Sequence, residues 1–531
     1  MNNLSKRKAA LILFLAGFFV APLCASNLDT VGVTLLREVT TNVDGTGIFV
    51  AQPEAGYDQV TNWEVSPVAI SRPIGFLTFI SSNGSTTNFP NSLSSESGHA
   101  DSVAGNFYGM PDGVATNVAH VDNYDADYFY GSIITSPTPP NINDPVVNQS
   151  FIFTESDDSH ATVSDEQAID SAYDDYAAQF NTLFVSGAGN GGVVNPPATC
   201  YNGIGVGVSD GSSSYGPTID NGRCKPDIIA PDGATSFSTP FVAGAAAVLM
   251  QAGLRGDGGS DTNSAADIRT VKALLLNGAI KPPGWTNFPP EPLDTNYGAG
   301  VLNVFNSYEQ LAGGKHGYVV SATVPSGNAH PPTGDTGTIS VLNGWDFNTN
   351  TSDIFDDAIN HYYFNVTNTS DNATFTATAT LVWNRQQSQT NINNLDLFLY
   401  NCANSNLVAC STSLVDNVEQ IFVPQLPQGR YDLQVWKAGG IPDLTIVSSS
   451  EIYALAWEFF SVPLNIAPSG TNAVLTWPVY PAGFVAESTT NLISPIVWST
   501  NNLPPPVFTN NQNCILLGAT NEDEFFRLYQ P

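Results

Sequence analysis

The sequence predicts an α/β protein with a doubly wound, mostly parallel sheet flanked by helices, followed by all-β sandwich modules. Between Asn27 and about Leu311, short apolar runs alternate with helical segments, as parallel strands with helical crossovers require. Beyond Gly314, Thr, Asn, Val and aromatic residues alternate between recurring turn residues. This alternating pattern is typical of antiparallel β-sandwiches.

The N-terminus has the composition of a secretory signal peptide, predicted over residues 1–26. Three basic residues, Lys6, Arg7 and Lys8, precede a nearly continuous apolar run from Ala9 to Val20. This run is too short for a membrane-spanning helix. We therefore expect a secreted protein, and no membrane insertion because no later apolar run approaches membrane length.

Within the α/β region, the order of apolar and polar residues predicts individual strands and helices. Strands are predicted within 45–56, 144–153, 182–185 and 200–209, and helices at 164–180, from 239 onward and at 267–276. The helix expected from Thr239 has Pro240 in its first turn, where a helix tolerates the missing N–H. Ser236 would then lie just ahead of this helix, near the positive end of its dipole.

The domain division follows from these patterns. We expect an α/β domain at 27–315, a jelly-roll-like β-sandwich at 316–462 and a small β module at 463–531.

The Cys402–Cys410 segment is typical of a hairpin and is the stronger disulfide candidate. An oxidising compartment would also permit Cys200 with Cys224, leaving Cys514 odd. No zinc-type CxxC spacing occurs, so no metal ligand is assigned.

The charge balance excludes two classes of partner. With 16 basic and 48 acidic residues, the formal net charge is −32. Such a chain is repelled by nucleic acid and by anionic membrane surfaces. Peptides or proteins remain as partners, and the oligomeric state is open.

Four motifs follow one another along the α/β region. They are Gly45-Thr-Gly-Ile-Phe-Val-Ala-Gln-Pro-Glu-Ala-Gly56, Gly98-His-Ala-Asp-Ser-Val-Ala-Gly105, Ser186-Gly-Ala-Gly-Asn-Gly-Gly192 and Gly233-Ala-Thr-Ser-Phe-Ser-Thr-Pro-Phe-Val-Ala-Gly244. In this order they resemble the acid, histidine, oxyanion and nucleophile motifs of the subtilisin-like serine peptidases. The resemblance implies the subtilisin-like form of the doubly wound fold.

The resemblance also implies a role for each position. Ser236 is the nucleophile, His99 the general base and Asn190 the oxyanion donor. An imidazole suits the second role because its ordinary pKa lies near neutrality. The segment 144–153 resembles the family segment that lines the substrate cleft, which implies that Ser150 and Phe151 border the pocket. The Gly-rich turn adds Gly187 and Gly189 to the substrate-binding set.

The acid departs from the family pattern, because Glu54 stands where the family has Asp. A Glu can still accept the imidazole N–H, although its extra methylene must be accommodated. Asp44 and Asp101 are the alternatives. The acid-acting sedolisins also use a glutamate, but their Glu/Asp pair on the histidine helix and their Asp at the position of Asn190 are absent here.

These assignments predict a secreted serine endopeptidase. The alternative is a catalytically impaired binding or cell-surface protein on the same fold. It is suggested by Glu54, by Ala234 in place of the usual Gly, and by the interval between the signal peptide and Gly45, which is too short for the family's inhibitory propeptide. A third hypothesis is that the β modules are the functional part and serve as an adhesin or bind glycans. The family and the acidity make a structural calcium ion plausible, but no D-x-D-x-D-G loop is present.

Overall fold

The structure is a computed structural model of the 531-residue chain. It describes residues 26–56, 62–154, 160–318, 320–325, 341–353, 356–367, 375–439, 447–470, 472–509, 512–518 and 523–529. Apart from its last residue, Ser26, the predicted signal peptide lies outside these ranges.

The described residues of the α/β part form strands β1 to β10 and nine α-helices. The strands are Phe49–Glu54, Asn62–Glu64, Leu77–Ile80, Thr86–Asn88, Ser95–Glu96, His120–Asp125, Val146–Gln149, Leu183–Gly187, Ile204–Val208 and Ile228–Ala230. Helices α1 to α9 are Asn27–Thr30, Val33–Val39, Gly98–Phe107, Ala126–Tyr128, Val163–Phe180, Thr235–Arg255, Thr262–Ala265, Ile268–Asn277 and Val304–Ala312, with a π-helical turn at Phe129–Ile134.

Eight of these strands form the central sheet. Its order is β10-β9-β8-β7-β1-β6-β3-β4, and only the edge strand β4 pairs antiparallel. Strands β7, β8, β9 and β10 are buried along their whole length, because helices cover both faces of such a sheet. The predicted doubly wound, mostly parallel fold is confirmed.

Helix α6 is the central helix of this domain, and it begins earlier than predicted from the sequence. It starts at Thr235, so Ser236 lies in its first turn and Pro240 lies inside it. The missing N–H of Pro240 is accommodated because the carbonyl of Ser236, four residues earlier, accepts a side-chain hydrogen bond from Ser150 at 2.8 Å. By length and composition α6 could cross a membrane, but 89% of its most apolar window is buried inside the protein.

The C-terminal part is all β. Strands β11 to β19 are Val320–Pro325, Asn343–Thr351, Asp356–Val366, Phe375–Trp383, Leu395–Asn401, Leu407–Ser411, Val418–Leu426, Gly429–Lys437 and Ser450–Phe460. They form two antiparallel sheets, β11-β13-β18-β15-β16 and β12-β19-β14-β17, which pack as a sandwich. Strands β20 to β25 are Asn465–Ser469, Asn472–Pro478, Val485–Thr489, Val507–Thr509, Gln512–Gly518 and Phe525–Tyr529.

The β-sandwich is joined to the α/β domain by buried contacts. Asn277 at the end of α8 accepts hydrogen bonds from Thr378 and Thr380 of β14 at 2.9 and 3.0 Å. Trp345 of β12 belongs to the α/β core and donates its indole N–H to the Leu311 carbonyl at 3.1 Å. The division at 315 and 462 stays a prediction, and the structure shows an intimate join at the first of these positions.

Neither of the two disulfide pairings that the sequence permits is formed in the structure. Cys410 pairs with Phe398 across the hairpin, four residues before Cys402, so the two cysteines are separated along the strands by far more than a disulfide spans. In the other pair, the Cys200 thiol donates to Asp170 at 3.4 Å, whereas Cys224 lies beside Asp416 of the sandwich.

Candidate active site

The proposed catalytic residues meet at the carboxyl edge of the central sheet. Glu54 ends β1, Ser150 follows β7 and Asn190 follows β8. His99 and Ser236 each occupy the second position of a helix, α3 and α6. In open α/β sheets this edge is where ligands bind, so the fold alone explains why residues from five parts of the chain converge here.

Glu54 and His99 form the central contact of the site. The Nδ1 atom of His99 lies 3.0 Å from Oε2 of Glu54, and the carboxylate is only 2% exposed whereas the imidazole is 38% exposed. The hydrogen bond to Glu54 raises the pKa of His99 above its ordinary value of 6.5, against the opposing effect of burial. With Nδ1 held by Glu54, Nε2 is left for proton transfer.

The two alternative acids contact other groups. One carboxylate oxygen of Asp101 accepts the Ser66 backbone N–H at 2.7 Å. Asp44 binds Thr46 and Asn117, at the opposite end of β1 from the histidine. Among the three candidates, Glu54 is therefore the one that contacts the imidazole.

Ser236 and Ser150 contact each other twice. The Ser236 hydroxyl donates to the Ser150 carbonyl at 3.4 Å, and the Ser150 hydroxyl donates to the Ser236 carbonyl at 2.8 Å. Asn148 in turn donates to the Ser150 hydroxyl at 3.0 Å. In this conformation the Ser236 hydroxyl donates to the Ser150 carbonyl, so it must give up this hydrogen bond before it can donate to His99.

The side-chain amide of Asn190 is oriented by Thr235. Its Oδ1 atom accepts the Thr235 backbone N–H at 2.9 Å and the Thr235 hydroxyl at 3.1 Å. Because a backbone N–H can only donate, this end of the amide must be the oxygen. The NH₂ group is thus turned away from Thr235, on an exposed side chain beside Ser236.

A cavity of about 400 Å³ connects these groups. Its lining includes every predicted catalytic and substrate-binding residue except the buried Glu54: His99, Ser150, Phe151, Gly187, Gly189, Asn190 and Ser236. Gly189 has a φ of +107°, and a Cβ there would lie 2.7 Å from the Ser214 hydroxyl. Glycine at this position therefore keeps the cavity wall close to the neighbouring loop without strain.

An acidic cluster of Glu166, Asp170 and Asp220 is the place where a cation would first be sought. The guanidinium of Arg223 already contacts Asp170 and Asp220 at 2.7 and 2.8 Å. Burial raises the pKa of Glu166 to about 8. A cluster that holds an internal cation and a proton-retaining carboxyl does not fit a calcium site.

The sequence model of the subtilase family matches residues 75–300 of this chain. The α/β domain belongs to the subtilase family. A subtilase domain is a serine-peptidase domain that acts on peptides or proteins. The matched segment contains His99, Asn190 and Ser236 and begins after β1, so it does not include Glu54.

Several solved structures are similar to about half of this chain. The prenylagaramide maturation protease PagA is 21% identical over 54% of this chain and 99% of that chain, with a TM-score of 0.33. A protease of Pseudoalteromonas arctica PAMC 21717 is 18% identical over 50% of this chain and 91% of that one, with a TM-score of 0.32. The PatG macrocyclase in complex with peptide is 15% identical over 55% and 99%, with a TM-score of 0.36.

Several residues of the subtilase site were not predicted from the sequence. Phe237 packs its ring 5.6 Å from that of His99. Gln52 donates to Glu54 at 2.8 Å, and Tyr108 donates to Gln52 at 2.6 Å. Gln52 had a readable signal, since a polar residue two positions before Glu54 points to the same face of an otherwise apolar strand.

Proposed function

We propose that this protein is a secreted serine endopeptidase in which Glu54, His99 and Ser236 form the charge-relay arrangement and Asn190 is the oxyanion donor. The observation that carries the proposal is the 3.0 Å contact between His99 and the buried Glu54, beside a cavity that Ser236 and Asn190 also line. Secretion is proposed from the N-terminal signal pattern.

The reaction begins when the Ser236 hydroxyl leaves the Ser150 carbonyl and attacks the scissile carbonyl carbon. His99 takes the hydroxyl proton at Nε2, and Glu54 stabilises the resulting imidazolium at Nδ1. The substrate oxygen, now negative, accepts hydrogen bonds from the Asn190 amide and the Ser236 backbone N–H, which belongs to the first turn of α6 and has no partner within the helix.

The C–N bond then breaks and His99 returns its proton to the leaving amine, which leaves an ester on Ser236. A water molecule repeats the sequence: it loses a proton to His99, attacks the ester, and Ser236 recovers its proton. Both halves use the same donors, so one geometry serves acylation and deacylation.

A serine-directed fluorophosphonate probe tests this function. We expect the mature protein to be labelled and the Ser236→Ala variant to remain unlabelled, with a peptide-library digest reporting cleavage between internal residues. Labelling without internal cleavage would limit the protein to another acyl-transfer reaction.

One observation favours a second candidate, a catalytically impaired subtilase that binds peptides. The Ser236 hydroxyl donates to a carbonyl rather than to His99. Folded protein that binds peptides in the cavity but resists the probe would establish this candidate and exclude the peptidase.

A further inference from the structure

A chain of buried hydrogen bonds leads from Tyr108 to Glu54. The Tyr108 hydroxyl donates to Oε1 of Gln52 at 2.6 Å, and Nε2 of Gln52 donates to Oε1 of Glu54 at 2.8 Å. Tyr108 and Gln52 have no exposed surface, and Glu54 has 2%. Together with the bond from Glu54 to His99, these contacts form what we call the acid relay: Tyr108, Gln52, Glu54 and His99.

The orientation of the Gln52 amide is fixed from both ends. Its nitrogen has two acceptors, Glu54 and the Ala100 carbonyl at 3.1 Å, and its oxygen has one donor, the Tyr108 hydroxyl. A flipped amide would turn its oxygen toward a carboxylate and a carbonyl, which both repel it. The hydroxyl of Tyr108 therefore helps to select the orientation in which Gln52 can donate to Glu54.

The relay also connects the two elements that carry the acid and the base. Gln52 and Glu54 lie on β1, whereas His99 and Ala100 lie at the start of α3 and Tyr108 caps its end. Gln52 thus contacts one residue of the first turn of this helix and the side chain of its C-cap residue. These contacts hold α3 against β1. They therefore set the distance that the Glu54 carboxylate must span to reach His99.

A glutamate needs this support more than an aspartate does. It has one more rotatable bond, and each buried carboxylate oxygen requires a donor. His99 contacts Oε2, and Gln52 contacts Oε1. With both oxygens held, the longer side chain is confined to one orientation.

We propose that Gln52 and Tyr108 are positioning residues that hold Glu54 in the orientation that binds His99. This inference rests on the proposed function, because it concerns the same acid. It explains how a subtilase domain uses Glu where the family pattern has Asp.

Among the residues that the structure describes, few other ionisable groups lie near the relay. Asp101 on α3 binds the Ser66 backbone, and Asp125 on β6 is the partner of Glu54 in the sheet register. Glu96 on β5 interacts electrostatically with Asp101, and Arg72 lies beside the Tyr108 carbonyl. None of these side chains contacts His99, so the titration of His99 reports chiefly on Glu54.

The test compares Gln52→Leu and Tyr108→Phe with the matched control Tyr173→Phe in the mature protein. Tyr173 is also fully buried and also bonds a strand glutamine, Gln149, at 2.7 Å, but it does not contact Glu54. The readout is the far-downfield proton resonance of an imidazole Nδ1–H bound to a carboxylate. A His99→Ala variant assigns this signal among the six histidines.

We expect both relay variants to lose or broaden the Nδ1–H signal and to shift the His99 titration to lower pH, while the control retains both. For Gln52→Leu, kcat should fall about 10- to 100-fold, as for the loss of a hydrogen bond to a charged group. For Tyr108→Phe, the fall should be about 2- to 10-fold. If Gln52→Leu does not fold, Tyr108→Phe decides the question.

A Nδ1–H signal that persists in the relay variants, or that disappears in the control as well, would overturn the positioning role. The resonance does not depend on turnover. If the protein has no peptidase activity but loses the signal only in the relay variants, the positioning role stands and the proposed function fails. If the protein is active but keeps the signal in all variants, the proposed function stands and the positioning role fails.

Discussion

Two opposing effects meet at His99. Burial lowers the pKa of an imidazole, and the Glu54 carboxylate raises it; the carboxylate prevails, so the pKa of His99 lies above its ordinary 6.5. The neutral base needed for catalysis is then lost as pH falls through this raised pKa. The acid limb of a peptidase profile should accordingly lie above 6.5.

Glu54→Gln tests this directly. The amide carries no charge and can favour the wrong imidazole tautomer, so we expect kcat to fall by about 10³ or more and the acid limb to move to lower pH. The measurement is kcat/KM against pH on a chromogenic peptide. An unchanged profile with near wild-type kcat would remove Glu54 from the mechanism.

Glu54→Asp is the matched change that keeps the charge. The shorter side chain retracts by about one C–C bond from a site shaped for Glu, which exceeds the range of a good hydrogen bond. We expect a measurable loss of kcat, smaller than that of Glu54→Gln. Activity equal to the wild type would show that the strand moves to compensate.

Asn190→Ala tests the oxyanion donor. The lost amide should lower kcat by about 10²–10³ with little change in KM, because the donor acts on charge that exists only in the transition state. Steady-state kinetics separate the two parameters. A change in KM alone would instead assign Asn190 to substrate binding or to holding the Thr235 turn.

The sequence predicts His99, Asn190 and Ser236 because each sits in a short local motif. The acid relay could not be predicted in the same way, since Tyr108 and Gln52 are 56 positions apart. Their contact depends on how α3 packs on β1, and no local pattern encodes that packing. For the same reason the sequence left Glu54, Asp44 and Asp101 as three alternatives.

At the scale of elements, the packing of α6 on its surroundings depends on glycine. A Cβ at Gly244 would lie 2.5 Å from the Cβ of Val114, whereas a Cβ at Gly105 on α3 would meet nothing within 4 Å. The small residues of α6 thus serve close approach, as its composition indicates. The start of α6 was predicted four residues late because Pro240 is a strong local signal, and the tertiary contact with Ser150 overrides it.

Gly244→Ala and Gly105→Ala form a matched pair of helix substitutions. We expect Gly244→Ala to reduce the free energy of unfolding by about 1–3 kcal/mol through overpacking. Gly105→Ala should increase it by up to about 1 kcal/mol, because alanine favours the helix. Denaturant titration measures both, and equal effects from the two variants would contradict this account of the packing.

At the scale of the molecule, the sequence predicts the two architectures but not how closely they are joined. The join consists of long-range polar pairs. Arg385 of the sandwich forms an ion pair with Asp174 of α5 at 3.1 Å, with both side chains at most 4% exposed. Gln310 of α9 donates to Glu458 of β19 at 3.1 Å. Nothing in the local sequence around these residues identifies their partners.

Truncation after residue 315 tests the join. Removing the sandwich would expose α8 and deprive Asp174, Asn277 and Gln310 of their partners in the sandwich, so we expect the shortened chain to be insoluble or open to proteolysis. Expression and limited proteolysis against the full mature chain measure this. A soluble, protease-resistant and active fragment would show that the subtilase domain is stable alone.

Trp345 is a residue of the sandwich whose side chain is packed in the core of the other domain. A shared core of this kind couples the two parts in unfolding, so calorimetry of the mature protein should give one transition across both rather than one for each. It also limits recombination. A sandwich transplanted from another protease would leave a hole the size of an indole beneath Leu311. A junction beyond Phe460 would not avoid the problem, because Val479 also packs in this core and the Tyr480 ring lies 5.9 Å from that of Phe305 on α9.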